Sequence, residues 1–233
     1  MNNTSKMKNK NIKDEKRGNF YWIDKEPYVS VTQVLKAIDK PALRYWFGNE
    51  VYYAMVKDPT MAEQEALSAP YKTSGKAKIR GSTIHSIVEA YKSSGAVVDT
   101  VPEELRGYAQ AFYKWVKDNQ VKIDENERTV VSKTHKYAGT LDLLISRVDD
   151  RWIVDVKTGK DIYQEAFLQL SAYKHALEED SGLKIERMGV LLLQENGKYK
   201  FAEGEDYFDV FMATKKLWEF LNRDICEKVG YKV

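Results

Sequence analysis

The chain has 233 residues, and its charges nearly balance, with 37 Lys and Arg against 35 Asp and Glu. This length and a hydrophobic fraction of 43% exclude a disordered or fibrous chain and allow a buried core. No apolar run approaches the roughly 18 residues of a membrane span. The single cysteine excludes an internal disulfide and a four-cysteine iron–sulfur cluster. We therefore expect a cytoplasmic protein with no membrane partner.

Basic charge is concentrated at the N-terminus. Residues 1–18 contain six Lys or Arg and two acids, whereas the rest of the chain has 31 basic and 33 acidic residues. A domain that binds nucleic acid through its overall charge is normally clearly basic, so the net charge does not indicate such binding. The sequence predicts a flexible basic tail over 1–18 and a single folded domain over 19–233.

The first part of that domain, 32–120, is predicted to be a helical elaboration. Hydroxyl caps, a proline at a first helical position and apolar residues at helical spacing mark its helices. In chain order we expect a hairpin of 20–23 with 28–31, a helix capped by Thr32, a helix from Pro41 to Lys57, a looser segment over 58–80, a helix from Gly81, and a helix launched by the capping box Thr100–Glu103.

Periodicity changes after residue 127, where short apolar runs broken by turn residues indicate strands. The predicted sheet core covers 127–202, and Asp149-Asp150 and Asn196-Gly197 are turn signals within it. We expect strands over 128–132, 139–148, 152–157, 190–194 and 199–201, a helix over 162–179, and a final helix over 207–228. This order predicts an α/β or α+β fold with one sheet flanked by helices.

Two carboxylates and an amine are predicted to converge in this sheet. Asp142 lies on the second strand and Asp155 on the third, so a hairpin would bring them together, and Lys157 shares a strand face with Asp155. Like charges this close repel unless a cation lies between them. A divalent metal such as Mg²⁺ satisfies that need, and Lys157 would then orient or deprotonate an activated water.

These residues carry a resemblance that covers about 28–195. They form four short motifs: Gly139-Thr-Leu-Asp142, Ile153-Val-Asp-Val-Lys-Thr-Gly159, the pair Gln169 and Tyr173, and Gly81-Ser-Thr-Ile-His85. Together these motifs resemble those of the PD-(D/E)XK nuclease superfamily, specifically its RecB-like exonuclease branch. Ser30-Val-Thr32 is similar to an N-terminal motif of phage-type members. The chain has no helicase P-loop, so it is closest to stand-alone phage-type members and to the mitochondrial genome-maintenance exonuclease type.

The resemblance implies a restriction-endonuclease-like α-β-β-β-α-β core with a central mixed sheet. It implies one or two Mg²⁺ or Mn²⁺ ions held by His85, Asp142, Asp155 and the Val156 carbonyl, with Lys157 as the catalytic lysine. Gln169 and Tyr173 would contact a nucleotide phosphate or the surroundings of the lysine.

Other residues are open to two interpretations. Glu127 and Glu89 could belong to the site or be ordinary surface acids. Lys72, Lys76, Lys78 and Arg80 precede the His85 helix and could contact phosphates, or form a mobile loop. The aromatic run Tyr45 to Tyr53 could stack on bases, although its helical spacing favours a core.

The function expected is metal-dependent exonucleolytic hydrolysis of DNA, single-stranded or at duplex ends. A structure-specific endonuclease is the first alternative. A binding protein on a retired nuclease fold, such as a partner of a recombination or replication protein, is the second. Cleavage polarity, strand preference and oligomeric state stay open.

Overall fold

The described chain folds around one mixed β-sheet. The computed structural model describes residues 15–94, 101–147 and 150–232. Its strands are β1 (Glu15–Arg17), β2 (Phe20–Ile23), β3 (Glu26–Ser30), β4 (Lys122–Ser132), β5 (Tyr137–Arg147), β6 (Asp150–Lys157), β7 (Arg187–Leu193) and β8 (Tyr199–Gly204). Its helices are α1 (Val31–Val34), α2 (Pro41–Lys57), α3 (Glu63–Ser94), α4 (Arg106–Asp118), α5 (Glu165–Ser181), α6 (Phe208–Leu221) and α7 (Arg223–Val229), with 3-10 turns at Leu35–Ala37 and Glu103–Leu105.

The strand order confirms the predicted fold class. Along the sheet the order is β1-β2-β3-β5-β6-β7-β8, and β4 pairs with β5. The pairs β3–β5 and β6–β7 are parallel and the other pairs are antiparallel, so the sheet is mixed. The succession α4-β4-β5-β6-α5-β7 is the expected α-β-β-β-α-β core.

Helices cover both faces of the sheet. On one face Leu170 and Tyr173 of α5 pack in a core with Trp218 of α6. On the other face Ile84 of α3 and Phe112 of α4 pack in a second core. These apolar contacts fix the helices against the sheet, since burial of large side chains is the main favourable term in folding. None of the described helices is long and apolar enough to cross a membrane.

The edge of β5 contains a gap. β4 pairs with β5 from Tyr137 to Ser146, so β4 occupies one whole edge. β3 pairs with Tyr137 and Ala138, and β6 pairs with β5 from Leu143 to Arg147. Both must therefore use the other edge. Among the described strands, residues 139–142 have no partner on that edge, and we call this stretch the β5 gap.

The segment 58–80, predicted as loose, is helical from Glu63 onward because α3 runs unbroken through it. Pro70 and Gly75 weaken a helix, which is why the sequence indicated a break. Contacts with α2 outweigh the effect of these two residues. The Tyr71 ring packs edge-on against Phe47 of α2 at 5.4 Å, and a side chain of α3 donates a hydrogen bond to a side chain of α2.

Three smaller differences concern helix ends and the tail. Ser30, not Thr32, is the N-cap of α1, and no side chain bonds the cap. The helix expected over 207–228 is divided at Asn222 into α6 and α7. Glu15–Arg17 pair with β2 although they fall in the expected tail. Residues 1–14, Thr100 and Asp149 lie outside the described residues.

Candidate active site

Asp142 and Asp155 meet where β5 and β6 separate. The last register pair of these strands is Leu143 with Val154, so Asp142 and Asp155 occupy the next opposed positions. Instead of a continued ladder, the Val156 N–H donates to Asp142 Oδ2 at 2.7 Å. The Asp142 carboxylate thus replaces a backbone acceptor at the β5 gap, which fixes its orientation.

A second carboxylate and an imidazole join Asp142. His85 Nδ1 lies 3.2 Å from Glu127 Oε1 and 3.5 Å from Asp142 Oδ1. One ligand atom from each of these three residues lies within 4.8 Å of the other two. His85 comes from α3, whose neighbouring Ile84 and Val88 anchor it in the core under the sheet.

Glu127 is held in an uncommon backbone conformation. Its φ is +47°, in the left-handed region that non-glycine residues rarely adopt. Asn126 pairs with Leu143 and Arg128 pairs with Leu141, so Glu127 stands opposite Asp142. Backbone strain of this kind persists where the surrounding structure imposes it, often at functional sites. Here it accompanies a Glu127 carboxylate that faces His85.

Asp155 forms a separate polar group with Lys157 and α5. Lys157 Nζ donates a hydrogen bond to Asp155 Oδ1 at 2.8 Å and forms an ion pair with Oδ2 at the same distance. Gln169 Nε2 donates to the same Oδ1 at 2.9 Å and to Tyr173 Oη at 3.2 Å. Asp155 is only 1% exposed, and its Oδ2 has no hydrogen-bond partner among the described residues.

Close packing locks Tyr173 in this group. A Cβ placed on Gly139 would come within 2.3 Å of Tyr173 Cε1, so the ring uses the space that a side chain at 139 would need. Gly139 begins the β5 gap, and its neighbour Thr140 lies 3.2 Å, Oγ1 to Oη, from Tyr21 of β2. The glycine of the Gly-Thr-Leu-Asp run and the tyrosine of the α5 pair are therefore one steric unit.

The acids of the site repel one another in the absence of a cation. Burial, followed by the nearby charge of Asp155, raises the pKa of Asp142 to about 7. Burial, followed by the charges of Asp142 and Asp155, also raises the pKa of Tyr173 well above its usual value, so its hydroxyl stays neutral. Both shifts report an excess of negative charge in a buried space.

The two basic groups of the site respond in the opposite sense. The hydrogen bond to Glu127 raises the pKa of His85 against the effect of burial, with help from Asp142. Burial alone would lower the pKa of Lys157, but the charges of Asp155 and Asp142 outweigh it, and the pKa rises. The two carboxylates therefore favour the cationic form of Lys157, which is a hydrogen-bond donor and a positive charge beside them.

This donor set fits a divalent metal ion. An imidazole nitrogen and carboxylate oxygens are ordinary ligands of Mn²⁺ and Mg²⁺. Burial and the charge of Asp155 raise the pKa of Asp142, and a bound cation would offset both effects. The three convergent residues are His85, Glu127 and Asp142, whereas Asp155 is bound by Lys157 and Gln169.

The four predicted phosphate-binding residues differ in their surroundings. Lys72 is paired with Glu65 at 3.4 Å, and Arg80 donates to the Thr158 carbonyl at 3.3 Å from a half-buried position. Lys76 and Lys78 are exposed, and within the part of the chain that the structure describes they make no ion pair. The basic residues therefore do not form one equivalent set.

The predicted ligand set does not include Glu127, which the sequence leaves open as a site residue or an ordinary surface acid. The register of the β4–β5 hairpin is the signal that would indicate Glu127 as a site residue. Val130 pairs with Gly139, and the same register places Glu127 opposite Asp142. Sequence pattern gave only an approximate start of β4, at 128 instead of Lys122, so that register was not available.

Comparisons with known proteins give remote similarities. No protein-family model matches the chain, and no curated protein does. Among solved structures, an alkaline exonuclease from Laribacter hongkongensis is 10% identical and has a TM-score of 0.47. The match covers 88% of this chain and 90% of the exonuclease chain. The same exonuclease in complex with dAMP is 10% identical with a TM-score of 0.42, covering 86% and 94%.

A provisionally named exonuclease from Eubacterium rectale is also 10% identical, with a TM-score of 0.40, covering 88% of this chain and 83% of its own. Similarity at this level does not by itself establish a common family or activity.

Proposed function

We propose that the protein is a metal-dependent nuclease that hydrolyses phosphodiester bonds of DNA, acting as an exonuclease. One observation carries the proposal: the His85, Glu127 and Asp142 ligand atoms converge beside the buried Asp155–Lys157 pair at the β5 gap. A structural ion pair alone would not need a second and a third carboxyl group close by, since each added charge makes burial less favourable.

In this proposal His85, Glu127 and Asp142 would hold the metal ion, and Asp155 and the Val156 carbonyl would be the further ligands that the resemblance implies. When bound, Mg²⁺ or Mn²⁺ supplies Lewis-acid activation of water and neutralises charge on the phosphate. The Val156 N–H orients Asp142, and the Glu127 carboxylate orients the His85 ring. One or two ions are compatible with this donor set.

Lys157 contributes positive charge to the reaction. As a cation it stabilises the negative charge that develops on the phosphate oxygens in the transition state, and it positions the attacking water by hydrogen bonding. Gln169 holds Asp155 in place through Oδ1, and Tyr173 holds Gln169. Orientation of this kind matters because a small displacement of a charged group costs much of its effect.

The decisive experiment uses end-labelled linear single- and double-stranded DNA with Mg²⁺, with Mn²⁺ and with chelator. We expect a ladder of products only with metal, and at least a hundredfold loss of rate in Asp155→Asn. Asp224→Asn, an exposed aspartate on α7, is the matched control and should cleave like wild type. Equal residual activity in wild type and Asp155→Asn would contradict the proposal.

The remaining alternatives have their own readouts. A closed circular single strand stays intact with an exonuclease and is opened by an endonuclease, and the sequence shows no recognition module that favours the latter. Calorimetry with Mn²⁺ tests the retired-fold alternative, which expects tight DNA binding in chelator without metal binding.

We also propose that the protein is cytoplasmic and consists of a single nuclease domain over 19–233. Its partners would then be proteins of recombination or replication.

A further inference from the structure

One face of α3 leads directly away from the site. Tyr71, Lys78 and His85 are spaced by seven residues, which is almost two full turns, so they lie on the same face of the helix. At 1.5 Å per residue each step is about 10.5 Å, and the face extends about 21 Å from His85. Pro70 precedes this stretch, so no proline interrupts the geometry.

The surface between these residues is open. Gly75 lies one turn from Tyr71, and nothing stands within 4 Å of where its Cβ would be. Ser82 lies one turn from Lys78, is exposed, and lines the same cleft as His85 and Glu127. Tyr71, Gly75, Lys78 and Ser82 therefore form a continuous row, here called the α3 row, that ends at the metal ligands.

Tyr71 presents an aromatic ring to solvent in a fixed position. Its side chain is 68% exposed, although large hydrophobic surfaces are usually buried. The ring contacts Phe47 edge-on, at 5.4 Å and 81° between ring planes, and Thr73 Oγ1 donates to Glu50 at 2.8 Å, which ties α3 to α2. An exposed ring that is held in this way loses little conformational entropy when a partner stacks on it.

The charge of this face suits a polyanion. Between Glu65 and Glu89 the helix contains no acidic residue and four basic ones. Lys78 is exposed and forms no ion pair within the described residues, unlike Lys72, which is paired with Glu65. A free positive charge beside a fixed aromatic ring is the combination that binds unpaired nucleic acid, through phosphate and base together.

We propose that the α3 row binds the single-stranded part of a DNA substrate and leads that strand to the His85 site. The proposal rests on the proposed nuclease function and names the form of DNA that the site receives. Tyr71 stacks on an unpaired base and Lys78 contacts a phosphate closer to the site. The interior of a duplex does not suit the row, because its bases are stacked on one another and leave no free face for Tyr71.

The test measures binding separately from cleavage. Anisotropy of a fluorescein-labelled single-stranded DNA oligonucleotide that spans the α3 row is recorded in chelator, across a salt series. We expect Tyr71→Ser to weaken binding about tenfold, as loss of one stacked base does. We expect Lys78→Gln to reduce the slope of log affinity against log salt by about 0.7, as loss of one phosphate contact to a single strand does.

Matched controls separate the row from general charge and exposure. Tyr45→Ser removes an even more exposed tyrosine, at 74%, from a position two residues before Phe47 and hence on a different side of α2. Lys216→Gln removes an exposed charge from α6. Both should bind like wild type. Lys76→Gln, on another side of α3, should change the salt slope less than Lys78→Gln.

Several results would overturn the proposal. Equal binding by Tyr71→Ser and Tyr45→Ser, or equal salt slopes for Lys78→Gln and Lys216→Gln, would do so. Tighter binding of blunt duplex or of RNA than of single-stranded DNA would do so as well. A further contradicting result is a dimer in sedimentation that Tyr71→Ser dissociates without affecting DNA binding.

The nuclease proposal and the α3 row proposal are contradicted by different results. If wild type cleaves with metal but the row variants bind like their controls, the row is wrong and the nuclease stands. If wild type cleaves nothing with metal while the expected binding pattern holds in chelator, the nuclease is wrong and the row stands.

Discussion

Tyr173 of α5 occupies the space that a side chain on Gly139 of β5 would need, with Cε1 2.3 Å from the position of a Cβ. The ring is buried and its hydroxyl accepts a hydrogen bond from Gln169, which in turn holds Asp155. A change at Gly139 is therefore transmitted to the acidic group of the site through one ring and one amide.

Gly139→Ala should destabilise the protein by about 1–3 kcal/mol, as overpacking of a core does, and should also reduce nuclease activity. Urea unfolding with a constant m-value measures the first effect. Tyr173→Leu frees the contested space, so the double variant should be more stable than the sum of the two single losses predicts. Strictly additive losses would show that the two residues do not compete for space.

The metal-free protein should become more stable as the pH falls from about 8 to about 5. Asp142 has a folded pKa of about 7, above its unfolded value, so its ionisation disfavours the folded state at high pH, and protonation removes that cost. The raised pKa of His85 acts in the same direction, because its stabilisation is present at low pH and is lost as pH rises.

Urea unfolding in chelator across this pH range measures the effect. Asp142→Asn should flatten the dependence, and saturating Mn²⁺ should reduce it in wild type by compensating the carboxylate. Metal-free stability that rises with pH through this window would show that Asp142 is not a destabilising charge.

Glu127→Gln should weaken Mn²⁺ binding by at least tenfold, because it removes a carboxylate charge within 3.2 Å of His85. Isothermal calorimetry at constant pH measures the affinity. Glu89→Gln is a matched control: Glu89 is exposed on α3 and lines the same cleft, but it is not one of the three convergent residues. Similar losses in both variants would assign the effect to overall charge.

Lys157→Met should lower kcat by about 10²–10³-fold while Mn²⁺ still binds, because the lysine stabilises charge in the transition state and is not a ligand. Kinetics on end-labelled single strands and calorimetry measure the two quantities. Lys157→Arg keeps the charge and should recover part of the rate. If Lys157→Met lost metal binding as completely as activity, the lysine would have a structural role only.

Much of the site follows from simple periodicities in the sequence. Asp155 and Lys157 share a strand face and Gln169 and Tyr173 share a helix face, and in the structure Gln169 reaches Asp155. The position of Asp142 opposite Asp155 follows from the hairpin. These relations are local or cross a single turn, so pattern alone determines them.

Other features depend on contacts that no local pattern encodes. The positive φ of Glu127 is an exception within a strand, and a sequence gives no sign of it. Pro70 and Gly75 are residues that end helices elsewhere, yet α3 continues because α2 packs along it. Whether the basic residues of α3 are paired or free also depends on the helix being continuous, since Lys72 and Glu65 are seven residues apart.

The gap in β5 has a consequence for which changes in chain length the protein can tolerate. β4 holds the whole strand on one side, while β3 and β6 hold its two ends on the other. An insertion or deletion between Ala138 and Leu143 would shift one end of β5 by one residue relative to the strands on both of its sides. Such a shift turns every side chain of that end to the opposite face of the sheet. The spacing from Gly139 to Asp142 is thus set by the sheet and not by the chemistry.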